Sequence, residues 1–343
     1  MATDVHICGR TGAREVRFRT PLLLAPMEGV TDACFRSVVL DLGGVGGAST
    51  EFVRVSASVI PMHVIRRHLG PPRADVPVAV QIMASGRDHL AETISNAESA
   101  GAAWVDLNFG CPVARVCGKG AGSALLGDPP RIQEIVAEAV DATELPVSAK
   151  IRVGLEDADR LDEIVDAVSA GGAAMLTVHG RRRVDGLQSP ANWAWIAAAA
   201  ARWRTRGHGP VCGNGDVGSA EDARRMMRET GCDLVLVGRG AIANPFVFRD
   251  FAGGPPVTAD EAARFAMRYE DSVHPVVSSP YRLGRIKQLV RYYRAGGLFE
   301  GREDDRERLL RTKDMASIRA WFEEFLTGAR PAGNVLTNLP DLR

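Results

Sequence analysis

Short runs of apolar and β-branched residues recur along the first 240 residues of this 343-residue chain. Their nearly continuous apolarity is typical of parallel strands that are buried on both faces. Amphipathic stretches of helical periodicity separate most of the runs, and glycine often stands where a helix should end. The pattern predicts eight strands, at residues 21–27, 44–50, 77–83, 104–110, 146–154, 175–180, 210–216 and 234–240.

Eight successive strand–helix units favour a (β/α)8 barrel. The alternative, a doubly wound sheet, would typically carry a G-x-G-x-x-G turn after its first strand. The segment "APMEGVTD" (25–32), which follows the first predicted strand, is not such a turn. The sequence therefore predicts an α/β fold with a TIM barrel.

The periodicity changes after Pro255 and Pro256, and the patterns that follow are helical. Thr258 and Glu261 have the spacing of a capping box at the start of the first of these helices. We therefore expect a small C-terminal helical bundle domain after the barrel. The predicted boundaries are a lead-in at 1–18, the barrel at 19–252, the helical domain at 255–326 and a tail at 327–343.

Charge and cysteine content narrow the class of protein. The net charge is zero, but residues 281–319 carry eleven Lys or Arg against six Asp or Glu. This excess indicates either a solvated helical face or a surface for phosphates. Six cysteines without a C-x-x-C pair argue against a zinc or iron–sulfur site, and the sequence has no uncharged apolar run long enough to span a membrane. We expect a cytoplasmic protein that binds neither metal nor membrane.

Polar side chains stand at the C-terminal ends of the predicted strands, where barrel enzymes place their catalytic groups. Any one of them could be a core residue whose hydrogen bonds are made within the protein, but the set as a whole predicts an active site. The set comprises Glu28, Gln81, Asn108, Cys111, Lys150, Arg152, His179, Arg181, Asn214, Asp216 and Arg239.

Two cations on one buried strand face indicate an anionic or electron-rich ligand. Lys150 and Arg152 are two residues apart, so both side chains point to the same face, where their desolvation must be offset. The glycines of "GNGD" (213–216) and "VGRGA" (237–241), together with Arg239, suit a phosphate at the usual place in such barrels. A bound flavin is the favoured interpretation.

The segment "DLNFGCPVARVCGKGAG" (106–122) runs from a strand into a glycine-rich loop. Cys111 within it is either a small buried hydrophobe in a turn or a reagent at the mouth of a site. The loop is not a nucleotide P-loop, because Val113 and Gly120 occupy the positions that require glycine and Ser/Thr.

Seven ordered motifs resemble those of the tRNA-dihydrouridine synthases, flavoenzymes that reduce particular uridines in tRNA to 5,6-dihydrouridine. They are "APMEGVTD", "VQIMAS", "DLNFGCP" with "KGAGSALL", "KIRVG", "HGR", "NGD" and "VGRGA", and they cover about residues 20 to 250. The segments "TEFVRV" (50–55) and "GRIKQLVRYYR" (284–294) are similar to the bacterial DusC-type subfamily, which acts on uridine 16 of the D-loop.

The resemblance implies a role for each matching residue. Cys111 would be the general acid, and Asn108 and Arg152 would touch the target nucleotide. Leu187 stands where the family usually has an aromatic residue, which affects uridine stacking or loop packing. FMN would be bound by Pro26, Met27, Glu28, Gln81, Lys150 and His179, with its phosphate at Asn214, Gly215, Asp216, Gly238 and Arg239. The tRNA would be contacted by Arg54, Arg285, Lys287 and Arg311. NADPH would be the reductant and the protein a monomer.

Reduction of uracil needs a hydride at C6 and a proton at C5. Reduced FMN can supply the hydride, and a thiol with an ordinary pKa of about 8.5 remains protonated at neutral pH and can donate the proton. Two alternatives stay open. A flavin enzyme resembling dihydroorotate dehydrogenase would use its cysteine as a base and would need no basic helical segment. A tRNA-binding protein without catalysis would need neither Cys111 nor Lys150.

Overall fold

The strands of this protein form one closed barrel and one short hairpin. The structure is a computed structural model that describes residues 5–186, 189–206, 209–273 and 279–328. In these ranges the strands are β1 (Val5–Cys8), β2 (Glu15–Phe18), β3 (Leu22–Leu24), β4 (Gly47–Ser49), β5 (Val53–Val55), β6 (Val78–Ala84), β7 (Val105–Phe109), β8 (Val147–Arg152), β9 (Met175–His179), β10 (Val211–Asn214) and β11 (Leu234–Val237).

Strands β3, β4 and β6 to β11 make up the barrel, and all their pairings are parallel. Pairing of β11 with β3 and of β4 with β6 closes the sheet on itself. The predicted (β/α)8 barrel is therefore confirmed. Strand β5 pairs with β6 at the barrel rim and was not predicted, because three residues are too few to show a period.

Helices connect the strands around the outside of the barrel. Their apolar stripes face inward, as Ile164 and Val165 show by being fully buried. The helices of this part are α1 (Ala33–Leu40), α2 (Met62–Leu69), α3 (Leu90–Ala100), α4 (Ala114–Cys117), α5 (Pro129–Asp141), α6 (Leu161–Ala170), α7 (Trp193–Arg204) and α8 (Ala220–Thr230), and a 3-10 helix spans Gly122–Gly127.

The chain after β11 is helical. Its helices are α9 (Arg239–Ala243), α10 (Val247–Phe251), α11 (Ala259–Val273), α12 (Ser279–Tyr292), α13 (Glu303–Arg311) and α14 (Met315–Leu326), with a 3-10 turn at Ala295–Gly297. The capping box is confirmed: Thr258 N donates to the Glu261 carboxylate (3.0 Å), and Glu261 N donates to Thr258 Oγ1 (3.2 Å). Residues 329–343, which make up most of the predicted tail, lie outside the described ranges.

Aromatic contacts join the separate parts to the barrel. The ring of Phe18 in the β1–β2 hairpin packs edge-on against Trp104, 5.5 Å between centroids, at the N-terminal end of β7. Phe35 of α1 packs edge-on against Tyr269 of α11, at 5.3 Å. The C-terminal helices therefore share a core with the barrel. In the part of the chain that the structure describes, we find no helix with the length and apolarity to cross a membrane.

Candidate active site

The strand register brings most of the predicted site residues to one end of the barrel. Asn108 of β7 lies opposite Lys150 of β8, and Arg152 of β8 lies opposite His179 of β9. His179 in turn lies opposite Asn214 of β10. Because the strands are parallel, these five side chains line adjacent positions at the C-terminal rim.

A chain of buried hydrogen bonds runs beneath Cys111. Gln81 Nε2 donates to Asp106 Oδ2 (2.7 Å), and Asn108 Nδ2 donates to Gln81 Oε1 (2.8 Å). Asn108 Oδ1 accepts from the backbone N–H groups of Gly110 and Cys111, both at 3.0 Å. The side-chain amides of Gln81 and Asn108 thus make hydrogen bonds within the protein. Their contacts with flavin or nucleotide stay predictions. Sequence reasoning missed Asp106, although it lies on the same strand face as Asn108, two residues away.

The loop after β7 holds Cys111 at the rim. Its carbonyl oxygen accepts a hydrogen bond from Ser123 N (3.0 Å). Gly122 has a φ of +60°, and a Cβ there would lie 2.8 Å from that carbonyl oxygen, so the turn requires glycine. The thiol is half-buried, and burial raises its pKa. Cys111 therefore keeps its proton at neutral pH, as a proton donor must.

Lys150 and His179 lie in a strongly cationic environment. Burial and the neighbouring charge of Arg152 lower the pKa of Lys150 to about 8. Burial and then the charges of Lys150, Arg152, Arg181 and Arg239 hold the pKa of His179 well below its usual range. Arg181 Nη1 lies 3.2 Å from His179 Nε2, and because a guanidinium only donates, this nitrogen is the acceptor of a neutral ring.

Arg152 ties two loops of the rim together. The side chain is 3% exposed. Its Nε donates to the carbonyl oxygen of Gly110 (2.9 Å), and its Nη1 donates to that of Arg182 (2.9 Å). The structure therefore places Arg152 as a brace behind Cys111, and its predicted contact with the nucleotide is untested. Leu187 lies outside the described residues.

The carboxylate of Asp216 accepts hydrogen bonds from two arginines, Arg181 after β9 and Arg239 after β11. Its Oδ1 accepts from Arg181 Nη2 (2.5 Å) and Arg239 Nη2 (3.1 Å), and its Oδ2 accepts from Ala191 N (2.6 Å). Gly215 before it has a φ of +125°, and a Cβ there would lie 2.7 Å from that of Ala191. Arg181, one of the polar residues predicted at the strand ends, links Asp216 to His179.

The predicted tRNA-contacting residues differ in their exposure. Arg285 is 4% exposed, and its guanidinium contacts the loop after β3, which carries Pro26, Met27 and Glu28. It is thus placed behind that loop and away from the surface. The others are Arg54, half-buried in β5, Lys287, half-buried in α12, and Arg311, exposed and paired with Glu307 in α13.

Strand pairing creates one group of possible metal ligands that the sequence spacing did not reveal. Among the described residues, His6, Cys8 and Glu15 of the hairpin have ligand atoms within 4.8 Å of one another. All three are exposed, and the carboxylate of Glu15 is hydrogen-bonded to Arg17 (3.1 Å). We assign no metal to it.

Comparison with known proteins identifies the family. Residues 23–281 match the family model described as dihydrouridine synthase (Dus). The chain belongs to the dihydrouridine synthase family. A protein of Cupriavidus necator is 36% identical over 79% of this chain and 87% of its own length. A protein of Salmonella typhimurium is 35% identical over 80% of this chain and 89% of its own length. A protein of Neisseria meningitidis is 31% identical over 91% of this chain and 96% of its own length. All three are named tRNA-dihydrouridine(16) synthase.

A solved structure supports the fold of this dihydrouridine synthase. Histamine dehydrogenase from Rhizobium sp. 4-9 superposes with a TM-score of 0.55 and 12% identity, over 75% of this chain and 49% of the other. At this identity the likeness shows the fold alone.

The site residues fit the flavin that the family uses. In the described parts of the chain, the Lys150 ammonium makes no hydrogen bond or ion pair with another residue, although it lies in a largely desolvated place. A desolvated cation without a protein partner calls for an electron-rich ligand. Dihydrouridine synthases are flavin-dependent, and this site offers Lys150 to the electron-rich edge of a flavin.

Proposed function

We propose that this chain is a tRNA-dihydrouridine synthase that reduces uridine 16 of the D-loop, with FMN as its flavin and NADPH as its reductant. The names of relatives that match across most of their length support the substrate and the position. The observation that carries the chemistry is the half-buried, protonated thiol of Cys111 at the same rim as Lys150 and His179. We expect a cytoplasmic monomer.

FMN would lie over Lys150 and His179 with the loop of Pro26, Met27 and Glu28 beside it, and when bound it supplies the hydride for uracil C6. The neutral ring of His179 can hydrogen-bond to it without adding charge. Its phosphate would meet the turn of Asn214, Gly215 and Asp216, and Gly238 and Arg239. Arg239, anchored by Asp216 and more than half exposed, is positioned to offer further N–H groups to an anion.

Cys111 would complete the reduction. The S–H bond breaks as a C–H bond forms at uracil C5, and the electron pair of the thiol stays on sulfur. The positive charges of Lys150 and Arg152 favour the resulting thiolate, because each lowers the pKa of Cys111 against the effect of burial. One hydride and one proton balance the reduction of the 5,6 double bond.

The helices after the barrel, in the segment 255–326, would bind the tRNA. The excess of positive charge in residues 281–319 would then contact phosphates and select which uridine enters the site. The D-loop base must leave its stack to reach the rim, at a cost of a few kcal/mol. Arg54, Lys287 and Arg311 are the side chains proposed for the tRNA backbone.

The test is to incubate the flavin-loaded enzyme with NADPH and an unmodified tRNA transcript, and to map dihydrouridine by mass spectrometry of nuclease fragments. We expect a gain of two hydrogens at position 16, and no product in a matched transcript with cytidine at that position. Product at another uridine would contradict the proposed position. If NADPH reduces the flavin of the enzyme but no dihydrouridine forms, the proposed tRNA substrate would be contradicted. The assay would then turn to free pyrimidines.

A further inference from the structure

Arg181 is a buried arginine whose side chain is anchored at two of its three nitrogens. It is 2% exposed and lies two residues after the end of β9. Its backbone N–H donates to the carbonyl oxygen of His179 (2.7 Å), which turns the chain back toward the strand. Its Nε donates to the carbonyl oxygen of Ser189, and its Nη2 donates to Asp216 Oδ1, both at 2.5 Å. These two acceptors fix the plane of the guanidinium, and the third nitrogen, Nη1, faces His179.

This third nitrogen determines which ring nitrogen of His179 carries the hydrogen. Nη1 of Arg181 lies 3.2 Å from Nε2 of the ring. A guanidinium has donors only, so a hydrogen on Nε2 would face another hydrogen. Nε2 is therefore the acceptor, and the single hydrogen of the neutral ring lies on Nδ1. In general, the hydrogen bond made by one nitrogen of a histidine sets the protonation of the other.

The packing of the ring leaves Nδ1 for a ligand. A Cβ at Gly215 would lie 3.4 Å from Cδ2 and 3.5 Å from Nε2 of His179, so the turn after β10 lies against that edge of the ring. Nδ1 is on the opposite edge. In the ranges that the structure describes, no residue hydrogen-bonds to it, although His179 is only 8% exposed. A buried N–H without an acceptor is costly, so this arrangement calls for an acceptor from a ligand.

We propose that Arg181 is a positioning residue that holds His179 in the Nδ1–H tautomer, so that the ring presents one N–H donor, and no lone pair, to the flavin. The flavin atom that His179 meets is then a hydrogen-bond acceptor. Because Arg181 occupies the lone pair of Nε2, the ring binds the cofactor and takes no proton from the substrate. The inference rests on the proposed function in taking the flavin as the ligand, whereas the tautomer is a property of the protein alone.

Nitrogen NMR of the holoenzyme reads the tautomer directly. The chain has seven histidines, so labelling with 15N-histidine gives seven pairs of ring signals. The pair of His179 is identified by its loss in His179→Gln. We expect the Nδ1 signal of a protonated nitrogen and the Nε2 signal of an unprotonated one. A protonated Nε2 in the wild type would overturn the inference.

Arg181→Met removes the donor and keeps a long unbranched side chain. A neutral histidine in water favours the Nε2–H tautomer, so we expect the signal of a protonated Nε2 to appear in this variant. Arg182→Met is the matched control, because this neighbouring guanidinium donates to Asp185 and to the carbonyl oxygen of Glu156 instead. It should keep the Nδ1–H tautomer.

Two results with these variants would overturn the inference. One is an unchanged Nδ1–H tautomer in Arg181→Met. The other is an equal change in Arg182→Met, which would show that loop packing sets the tautomer. If Arg181→Met does not fold, the wild-type signals still decide which nitrogen is protonated.

Dissociation of FMN from the holoenzyme tests whether Arg181 acts through His179. Loss of one hydrogen bond should weaken FMN binding by about 2- to 10-fold in Arg181→Met, followed by flavin fluorescence. The same replacement in a His179→Phe background should cost less, because only the contact of Arg181 with Asp216 is then left to lose. An equal factor in both backgrounds would show that the two residues act independently and would overturn the positioning role.

Activity separates this inference from the proposed function. A wild-type enzyme that makes no dihydrouridine but shows the Nδ1–H tautomer would end the proposed function and leave the role of Arg181 standing. An active wild type with a protonated Nε2 would end the inference alone.

Discussion

The guanidinium of Arg285 donates a hydrogen bond of 2.6 Å to the carbonyl oxygen of Val30, across 255 residues of sequence. The same group donates to Gly29 and forms an ion pair with Asp32 (2.8 Å). Arg285 belongs to α12, whereas Val30 belongs to the loop after β3 proposed to contact the flavin. One buried side chain thus connects the C-terminal helices to the wall of the active site.

Replacement of Arg285 by alanine should destabilise the protein strongly. It would leave two backbone carbonyl groups without their side-chain donor and Asp32 without its cation, and each buried acceptor left unsatisfied costs about 1–3 kcal/mol in the free energy of unfolding. Urea denaturation measures this loss. Arg311→Ala is the control, since its ion pair is exposed, and it should unfold close to the wild-type midpoint. Equal midpoints for the two variants would contradict the anchoring role.

The barrel could be predicted from the sequence because its signal is local. Each strand buries both faces and so appears as a nearly continuous apolar run, such as "VAVQIM" (78–83) with Gln81 as its one polar residue, and the alternation with amphipathic helices indicates parallel order. The predicted strand at 21–27 was too long, because the apolar run continues through Ala25 into the turn that carries Met27, whereas β3 ends at Leu24. The three-residue β5 has no such run.

The partners of the polar residues could not be predicted, because they are set by contacts between distant strands. Asp106 looks like one more polar strand residue until β6 and β8 bring Gln81 and Ser148 to it. Arg285 looks like a solvated cation in a basic helix, and it is buried because the loop after β3 supplies acceptors for its guanidinium. The sequence therefore predicted which polar and charged residues lie at the rim of the barrel, but not which hydrogen bonds they make.

Gly122→Ala should impair the reaction more than it impairs stability. A left-handed backbone costs a non-glycine residue about 1–2 kcal/mol. Here the new Cβ would also lie 2.8 Å from the carbonyl oxygen of Cys111 and 3.1 Å from its Cβ, which would displace the thiol. Gly120→Ala is a close control, because its φ of +67° resembles the +60° of Gly122 but a Cβ there meets no atom within 4 Å.

Gly122→Ala should lose more unfolding free energy in urea than Gly120→Ala, because its Cβ also meets the backbone of Cys111, and only Gly122→Ala should lose most of its single-turnover rate. Equal rates in the two variants would show that the position of the Cys111 loop does not limit the reaction.

The pH dependence of the single-turnover rate should have an alkaline limb and no acidic limb near pH 6. The donor form of Cys111 is the protonated thiol, and its raised pKa keeps it protonated through neutral pH. Lys150 acts as a cation and loses its proton with a pKa of about 8, so the rate should fall as pH rises through this value. His179 stays neutral well below its usual range and should not titrate near pH 6. A rate that falls between about pH 7 and 6 would contradict this assignment.

Binding of tRNA should weaken steeply with salt if the C-terminal helices contact phosphates. Each contact with a single-stranded region contributes about −0.7 to the slope of log K against log salt. Lys287→Ala should therefore reduce the slope by about this amount in a fluorescence titration. Arg10→Ala is the control, because Arg10 follows β1 in the hairpin at the opposite end of the barrel. An unchanged slope for Lys287→Ala would remove that side chain from the interface.

Single-turnover reduction of tRNA by Cys111→Ala tests the central claim most directly. The flavin is reduced first, and dihydrouridine is then followed after mixing with tRNA, so that only the step requiring the proton is measured. We predict a rate about 10²–10⁴-fold below the wild type, the usual contribution of a positioned general acid, with unchanged flavin reduction. Cys117→Ala, six residues away at the end of α4, should retain its rate. A Cys111→Ala rate within a few-fold of the wild type would contradict the claim that this thiol donates the proton.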